Sequence, residues 1–237
     1  MTRDVVTEPD PDALAGVVAD AFLTRIAAAQ ERGEVPQVAL TGGTIAGKVH
    51  EQIAARAIGY AVEWTQVVFW WGDERFVAPT SPDRNAVGAR RTFLDLVGAT
   101  QVHEMPDTVT AADVNEAADA YSDWLRATGS GEFDLVMLGM GPDGHVASLF
   151  PGFAQLDVED RIAVGVTGSP KPPPERVSLT FSALNRSKAV WFLVTGAEKA
   201  EATARAWAFE GSVHETPARG ISGPSVTWYV DQAAAGG

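Results

Sequence analysis

A short apolar run, Phe133 to Leu138 interrupted only by Asp134, breaks off into Gly139, Gly141, Pro142 and Gly144, and delivers Asp143 and His145 two positions apart. The run lacks a continuous polar face, which is the pattern of a strand buried on both sides within a parallel sheet. Glycine and proline directly after it force the chain out of the sheet. Open parallel sheets bind ligands outside the carboxyl ends of their strands, so Asp143 and His145 are delivered to the edge where chemistry is done. A lone loop histidine is more often a surface or hydrogen-bonded residue than a catalyst, and the glycines alone could serve only a tight turn. The functional reading competes because strand end, glycines, Asp and His coincide within residues 139–145.

Elsewhere, strand-like and helix-like segments alternate. Leu14, Val18, Phe22 and Ile26 recur at a spacing of four and predict an amphipathic helix over residues 11–32. A strand at 37–41 ends at Gly42 and Gly43, with a helix to about residue 58. Residues 64–71 form a β-rich apolar run ending at Gly72. Helices are expected at 85–97, around Val114, Ala118, Tyr121 and Leu125, and at 197–209; strands are expected at 133–139, 161–167, 176–181 and 188–195. This order implies βαβ crossovers: an α/β fold with a mostly parallel, Rossmann-like open sheet covered by helices on both faces. The length of 237 residues suits one domain, here taken as 1–237. The proline run 170–174 reads as a stiff, extended loop with Lys171 at its tip, and residues 233–237 as a frayed tail.

With 18 basic and 31 acidic residues the net charge is −13, which argues against nucleic acid and anionic membrane surfaces as partners. The absence of cysteine excludes a disulfide framework, a thiolate metal site and a cysteine nucleophile. Residues 1–10 show neither a basic nor an apolar signal segment, and no apolar run approaches ~18 residues, so a cytoplasmic protein is expected. The sequon Asn185-Arg186-Ser187 is accidental in that setting.

An acidic chain that binds an anion must gather its few basic residues at the site. Gly42, Gly43 and Thr44 lie between a strand and a helix, where backbone N–H groups and the helix dipole can receive a phosphate, although such turns are common without one. Asp73, Glu74 and Arg75 end the second strand; they could be a solvated salt-bridge cluster, or Arg75 could contact phosphate or a developing oxyanion. Lys199 sits in the first turn of a helix, unfavourable beside the dipole unless an anion compensates, though it could equally be an exposed surface lysine. Lys171 and Arg176 flank the proline loop and could extend the basic wall. Asp143 could orient His145, and the acidic residues lack a metal-ligand spacing. There is no Gly-x-Ser-x-Gly elbow for a serine nucleophile.

Together and in order, Gly42-Gly43-Thr44, Trp71-Gly72-Asp73-Glu74-Arg75, the segment 139–152 around Asp143-Gly144-His145, Lys171 to Arg176, and Thr195-Gly196-Ala197-Glu198-Lys199-Ala200 resemble the 6-phosphogluconolactonases. That family shares a fold with glucosamine-6-phosphate deaminases and is related to ribose-5-phosphate isomerase. The resemblance implies hydrolysis of 6-phospho-D-glucono-1,5-lactone to 6-phospho-D-gluconate in the oxidative pentose phosphate pathway, with no metal or other cofactor. It implies His145 as general base, Arg75 as the characteristic arginine of the site, and Thr44 and Lys199 as phosphate contacts. The family often has Ser-Asn where this chain has Arg84-Asn85, so a hydroxyl contact is replaced by an arginine that could serve an anion.

Two other functions compete. An isomerase or deaminase of amino-sugar phosphates would share the glycine loop, Asp73-Glu74 and Asp143-Gly144-His145, but the resembling deaminases carry a Glu five residues after the His, where this chain has Phe150. A non-catalytic sugar-phosphate sensor could keep Thr44 and Lys199, yet His145 and Arg75 are both present. The expected partner is a small sugar-phosphate lactone, and the expected state a monomer.

Overall fold

A computed structural model describes residues 4–237. Seven parallel strands form the central sheet in the order β1 (Asp4–Glu8), β10 (Val226–Asp231), β9 (Val190–Val194), β6 (Leu135–Gly139), β2 (Gln37–Leu40), β3 (Val68–Trp71), β5 (Gln101–Val102). The helices packed around it include α1 (Pro11–Glu31), α2 (Thr44–Arg56) and α5 (Val114–Thr128). Strands β2, β3 and β9 are buried at every position, so the near-continuous apolar runs of the sequence are what a sheet covered on both faces requires. No helix among the described residues is long and apolar enough to cross a membrane.

From β2 the chain winds outward through β3 to β5, whereas from β6 it winds the other way through β9 and β10. The direction therefore reverses between β2 and β6, whose register pairs Val38 with Leu135 and Ala39 with Val136. A crevice opens at such a switch point because the two connections leave on opposite sides.

Several expectations need correction. Residues 161–167 and 176–181 do form strands, β7 (Ala163–Val166) and β8 (Arg176–Leu179), but these lie outside the parallel sheet. They make a separate antiparallel sheet, β4-β8-β7, with β4 (Asp73–Arg75). The chain passes from one sheet to the other at Gly72, whose N–H donates to the Leu40 carbonyl (2.9 Å) and whose carbonyl accepts the Leu179 N–H (2.8 Å); beside it, Tyr121 Oη accepts from the Trp71 N–H at 2.9 Å and donates to the Trp71 carbonyl at 3.2 Å. The expected strand from residue 64 begins only at Val68, because Glu63 accepts from the Thr65 N–H (3.2 Å) and hydroxyl (2.7 Å), which stabilises a turn at Trp64–Gln66. The helix expected over 85–97 is present, with α3 (Asn85–Ala89) continuing through a π-turn at Arg90–Leu94 into α4 (Asp95–Val97).

Three strands of the central sheet, β1, β5 and β10, were not expected from the sequence, β5 being only two residues long. β10 carries a clear β-branched and aromatic signal in Val226 to Val230, while β1 is a polar, largely exposed edge strand; residues 1–3 of the signal-free stretch lie outside the described residues. The tail is not frayed over 232–235. It forms α8 (Gln232–Ala235), capped by Asp231, whose carboxylate accepts from the N–H groups of Ala234 (2.7 Å) and Gly196 (3.1 Å).

Candidate active site

The crevice between β2 and β6 is a cleft of about 450 Å³. It is lined by Gly42, Gly43, Thr44, Asp73, Arg75, Gly141, His145, Lys171, Arg176 and Lys199, residues drawn from five separate stretches of the chain. Thr41, at the end of β2, crosses it at the floor, accepting from the Gly139 N–H at 3.3 Å. A second cavity of about 460 Å³ opens at the amino ends of the strands beside Phe133, Arg161 and Arg186. It holds no histidine, and switch-point chemistry belongs at the other end.

His145 and Asp143 form a pair. Nδ1 of the imidazole lies 2.6 Å from Asp143 Oδ1, which also accepts the His145 backbone N–H at 3.2 Å. Burial pushes the Asp143 carboxyl up, but its hydrogen bond to His145 and the charge there outweigh this and hold it below its ordinary value. Gly141 makes the pair possible, since a Cβ there would stand 2.2 Å from the imidazole ring and 2.5 Å from Asp143 Oδ1. Ala147, next but one along, sits at φ 49°, a left-handed conformation that costs a residue with a Cβ roughly 1 kcal/mol. Such strain is found where a functional loop is held by its surroundings. Part of that hold comes from Ser148, whose hydroxyl donates to Asp73 Oδ2 at 2.7 Å and whose N–H donates to Ser178 Oγ at 3.1 Å.

Three further elements bring positive charge. Arg75 donates from Nη1 to the Asp83 carbonyl (2.6 Å) and to Asn85 Oδ1 (2.7 Å), while its Nε is buried without a hydrogen-bond partner. Lys199 ends a short turn, Ala197–Lys199, before α7 (Ala200–Trp207). Burial lowers the Lys199 pKa, Glu198 opposes that, and the Lys171 cation lowers it further. An anion between the two lysines would relieve both costs. Arg176 braces the proline loop, donating to the carbonyls of Lys171 (3.0 Å) and Pro173 (3.3 Å), and comes within 4.0 Å of Asp73.

The first turn of α2 faces the same space. Its N-cap, Gly43, offers no side-chain acceptor, so the leading N–H groups remain open to a ligand. By contrast α1 and α5 are capped by Asp10 and Asp113.

Arg84 is the one predicted phosphate contact that the structure puts elsewhere. It is 2% exposed, donates to the Met105 carbonyl at 2.7 Å and lies 3.7 Å from Glu104. Its charge acts on buried Glu74, whose carboxyl is pushed up to about 7 by desolvation, against the pull of Arg84 and of three backbone N–H groups. Asn85, to which the sequence assigns no role of its own, lines the cleft in place of its charged neighbour. Its position beside Arg84 was visible in the sequence, but which of the two turned inward was not.

Fold and site together define a doubly wound α/β protein with an anion-receptive cleft at its switch point. Residues 9–228 match the family of glucosamine-6-phosphate isomerases and 6-phosphogluconolactonase, and the chain belongs to that family. It is 37% identical over 246 residues to the 6-phosphogluconolactonase of Streptomyces coelicolor, covering 99% of this chain and 94% of that one. The solved 6-phosphogluconolactonase of Thermotoga maritima superposes with a TM-score of 0.83 at 27% identity, covering 98% of this chain and all of its own. A monomeric glucosamine-6-phosphate deaminase gives the same TM-score, 0.83, at 18% identity, so the fold by itself does not separate the two activities.

Proposed function

We propose that this protein hydrolyses 6-phospho-D-glucono-1,5-lactone to 6-phospho-D-gluconate, the second step of the oxidative pentose phosphate pathway. The observation that carries this reading is the Asp143–His145 pair facing the same cleft as Arg75, Lys171, Lys199 and the uncapped start of α2. In this reading the 6-phosphate rests on the N–H groups after Gly43, with Thr44, Lys171 and Lys199 around it.

Asp143 accepts a hydrogen bond from Nδ1–H, which keeps the proton on Nδ1 and leaves Nε2 of a neutral imidazole with its lone pair. Nε2 takes a proton from water as the water oxygen attacks the lactone carbonyl. Arg75 stabilises the negative charge that develops on the carbonyl oxygen. When the tetrahedral intermediate collapses, the bond from C1 to the ring oxygen breaks, and the imidazolium returns its proton to that oxygen. The products are a hydroxyl and a carboxylic acid, which releases its proton to solvent as the carboxylate, with no covalent enzyme intermediate. Among the described residues no group of three His, Asp or Glu side chains is arranged to hold a metal ion.

Deamination of an amino-sugar phosphate is the second reading, and Phe150 disfavours it. The resembling deaminases use a Glu at this position for ring opening; here a buried aromatic ring packs 4.6 Å from the His145 imidazole. The deciding assay follows decay of phosphorylated lactone above its spontaneous rate, beside ammonia release from glucosamine 6-phosphate. Fast lactone decay, unchanged by exhaustive chelation and without ammonia, is expected; ammonia release with lactone decay at background would reverse the assignment.

A further inference from the structure

Asn85 is the first residue of α3 and projects its amide into the cleft wall between the glycine loop and Arg75. Its Oδ1 accepts from Arg75 Nη1 at 2.7 Å and its Nδ2 donates to the Asp73 carbonyl at 2.9 Å, so both ends of the amide are used. The same amide lies flat against Gly42, where a Cβ would fall 1.8 Å from Oδ1 and 2.4 Å from Cγ. Its backbone is fixed as well: Glu74 accepts the N–H groups of Asn85 (2.7 Å), Ala86 (2.8 Å) and Arg75 (2.8 Å). Glycine loop, β4 and α3 are thereby locked together at one amide.

The acceptors that hold Arg75 are neutral, the Asn85 amide and the Asp83 carbonyl. A carboxylate could hold the guanidinium as firmly but would neutralise it. An amide directs the side chain and leaves its charge for a ligand. The Asp83 carbonyl contacts the same nitrogen, so without Asn85 the guanidinium keeps one anchor and regains rotation about it.

We propose that Asn85 is the positioning residue of Arg75, aiming its uncompensated charge at the lactone carbonyl oxygen. This rests on the hydrolytic reading above. Losing a hydrogen bond to a charged group predicts that Asn85→Ala lowers kcat on phosphorylated lactone roughly 10- to 100-fold, with KM changed less than about 3-fold. Asn85→Asp keeps the acceptor for Arg75 but compensates its charge and sets a carboxylate oxygen against the Asp73 carbonyl, so its kcat should fall as well, and the Arg75→Ala background tells that loss from a structural one. In an Arg75→Ala background, Asn85→Ala should cost less than about 3-fold, because the group it positions is already gone.

Thermal melts of each variant separate folding from catalysis, and if Asn85→Ala does not fold, Asn85→Asp is carried through the same Arg75→Ala cycle. Either foldable variant retaining wild-type kcat, or costs that multiply in full in the double variant, would overturn the proposal. A wild-type protein inert toward lactone would sink the functional reading and this assignment with it. An active wild type with indifferent Asn85 variants would sink this assignment only.

Discussion

His50 lies on α2 with 3% of its surface exposed, stacked on Phe93 at a ring separation of 5.7 Å, and its Nε2 has no hydrogen-bond partner. Desolvation lowers its pKa from 6.5 to about 4. Between those values the unfolded chain binds a proton that the folded chain refuses, so the stability this group contributes is present above pH 6.5 and lost as pH falls towards 4. Full loss amounts to about 3 kcal/mol. Glu74 works in the opposite sense. Its raised pKa means the folded state holds a proton that the unfolded state has released, so acidification from about 7 towards 4.5 favours folding. The wild-type profile therefore conceals both groups. His50→Phe, which keeps the stack and removes the titration, should gain on the wild type by about 2–3 kcal/mol between pH 7 and 4.5 in urea unfolding. A difference between the two proteins that stays constant over that range would contradict the burial argument.

At the scale of elements, helix beginnings carry the site. α1 and α5 start on aspartates whose carboxylates accept the first N–H groups, which stabilises each by about 1 kcal/mol. α2 starts on a glycine and forgoes that cap, and the turn before α7 likewise starts on Gly196. Both uncapped starts face the cleft, and Lys199 stands at the second. Lys199→Ala should weaken use of phosphorylated lactone by about 1.5–3 kcal/mol in kcat/KM while hardly changing the unphosphorylated δ-lactone. Equal losses on both would remove Lys199 from the phosphate site. The turn at Gly42 and Gly43 was legible as a strand-to-helix junction, but a phosphate role was not, since such turns are common without one. The antiparallel sheet was not readable, since an apolar strand such as Val164 to Val166 has the same composition whichever sheet receives it. Arg84 was misplaced for a related reason. Charge favours exposure, and nothing local announces that Met105 and Glu104, some twenty residues on, will bury it.

Across the whole molecule, the reversal of winding between β2 and β6 decides where everything else assembles. Once the strand order is fixed, Gly42–Thr44 and Gly139–His145 must meet at one rim, and β4 and the proline loop close the sides. The parallel core was legible because two-sided burial imposes apolar runs; β10 had the same signal, while β1 lacked it as a polar edge. The electrostatics follow the same logic. A protein of net charge −13 repels a sugar phosphate at long range, and Arg75, Lys171, Arg176 and Lys199 reverse that sign locally at the cleft. In the proposed mechanism all of this serves one base, His145. The most direct test is the turnover of phosphorylated lactone by His145→Ala, measured against the wild type and the spontaneous rate with folding checked by thermal melt. The account predicts a folded protein whose kcat falls roughly 10²- to 10⁴-fold; a folded His145→Ala protein with near wild-type turnover would contradict it.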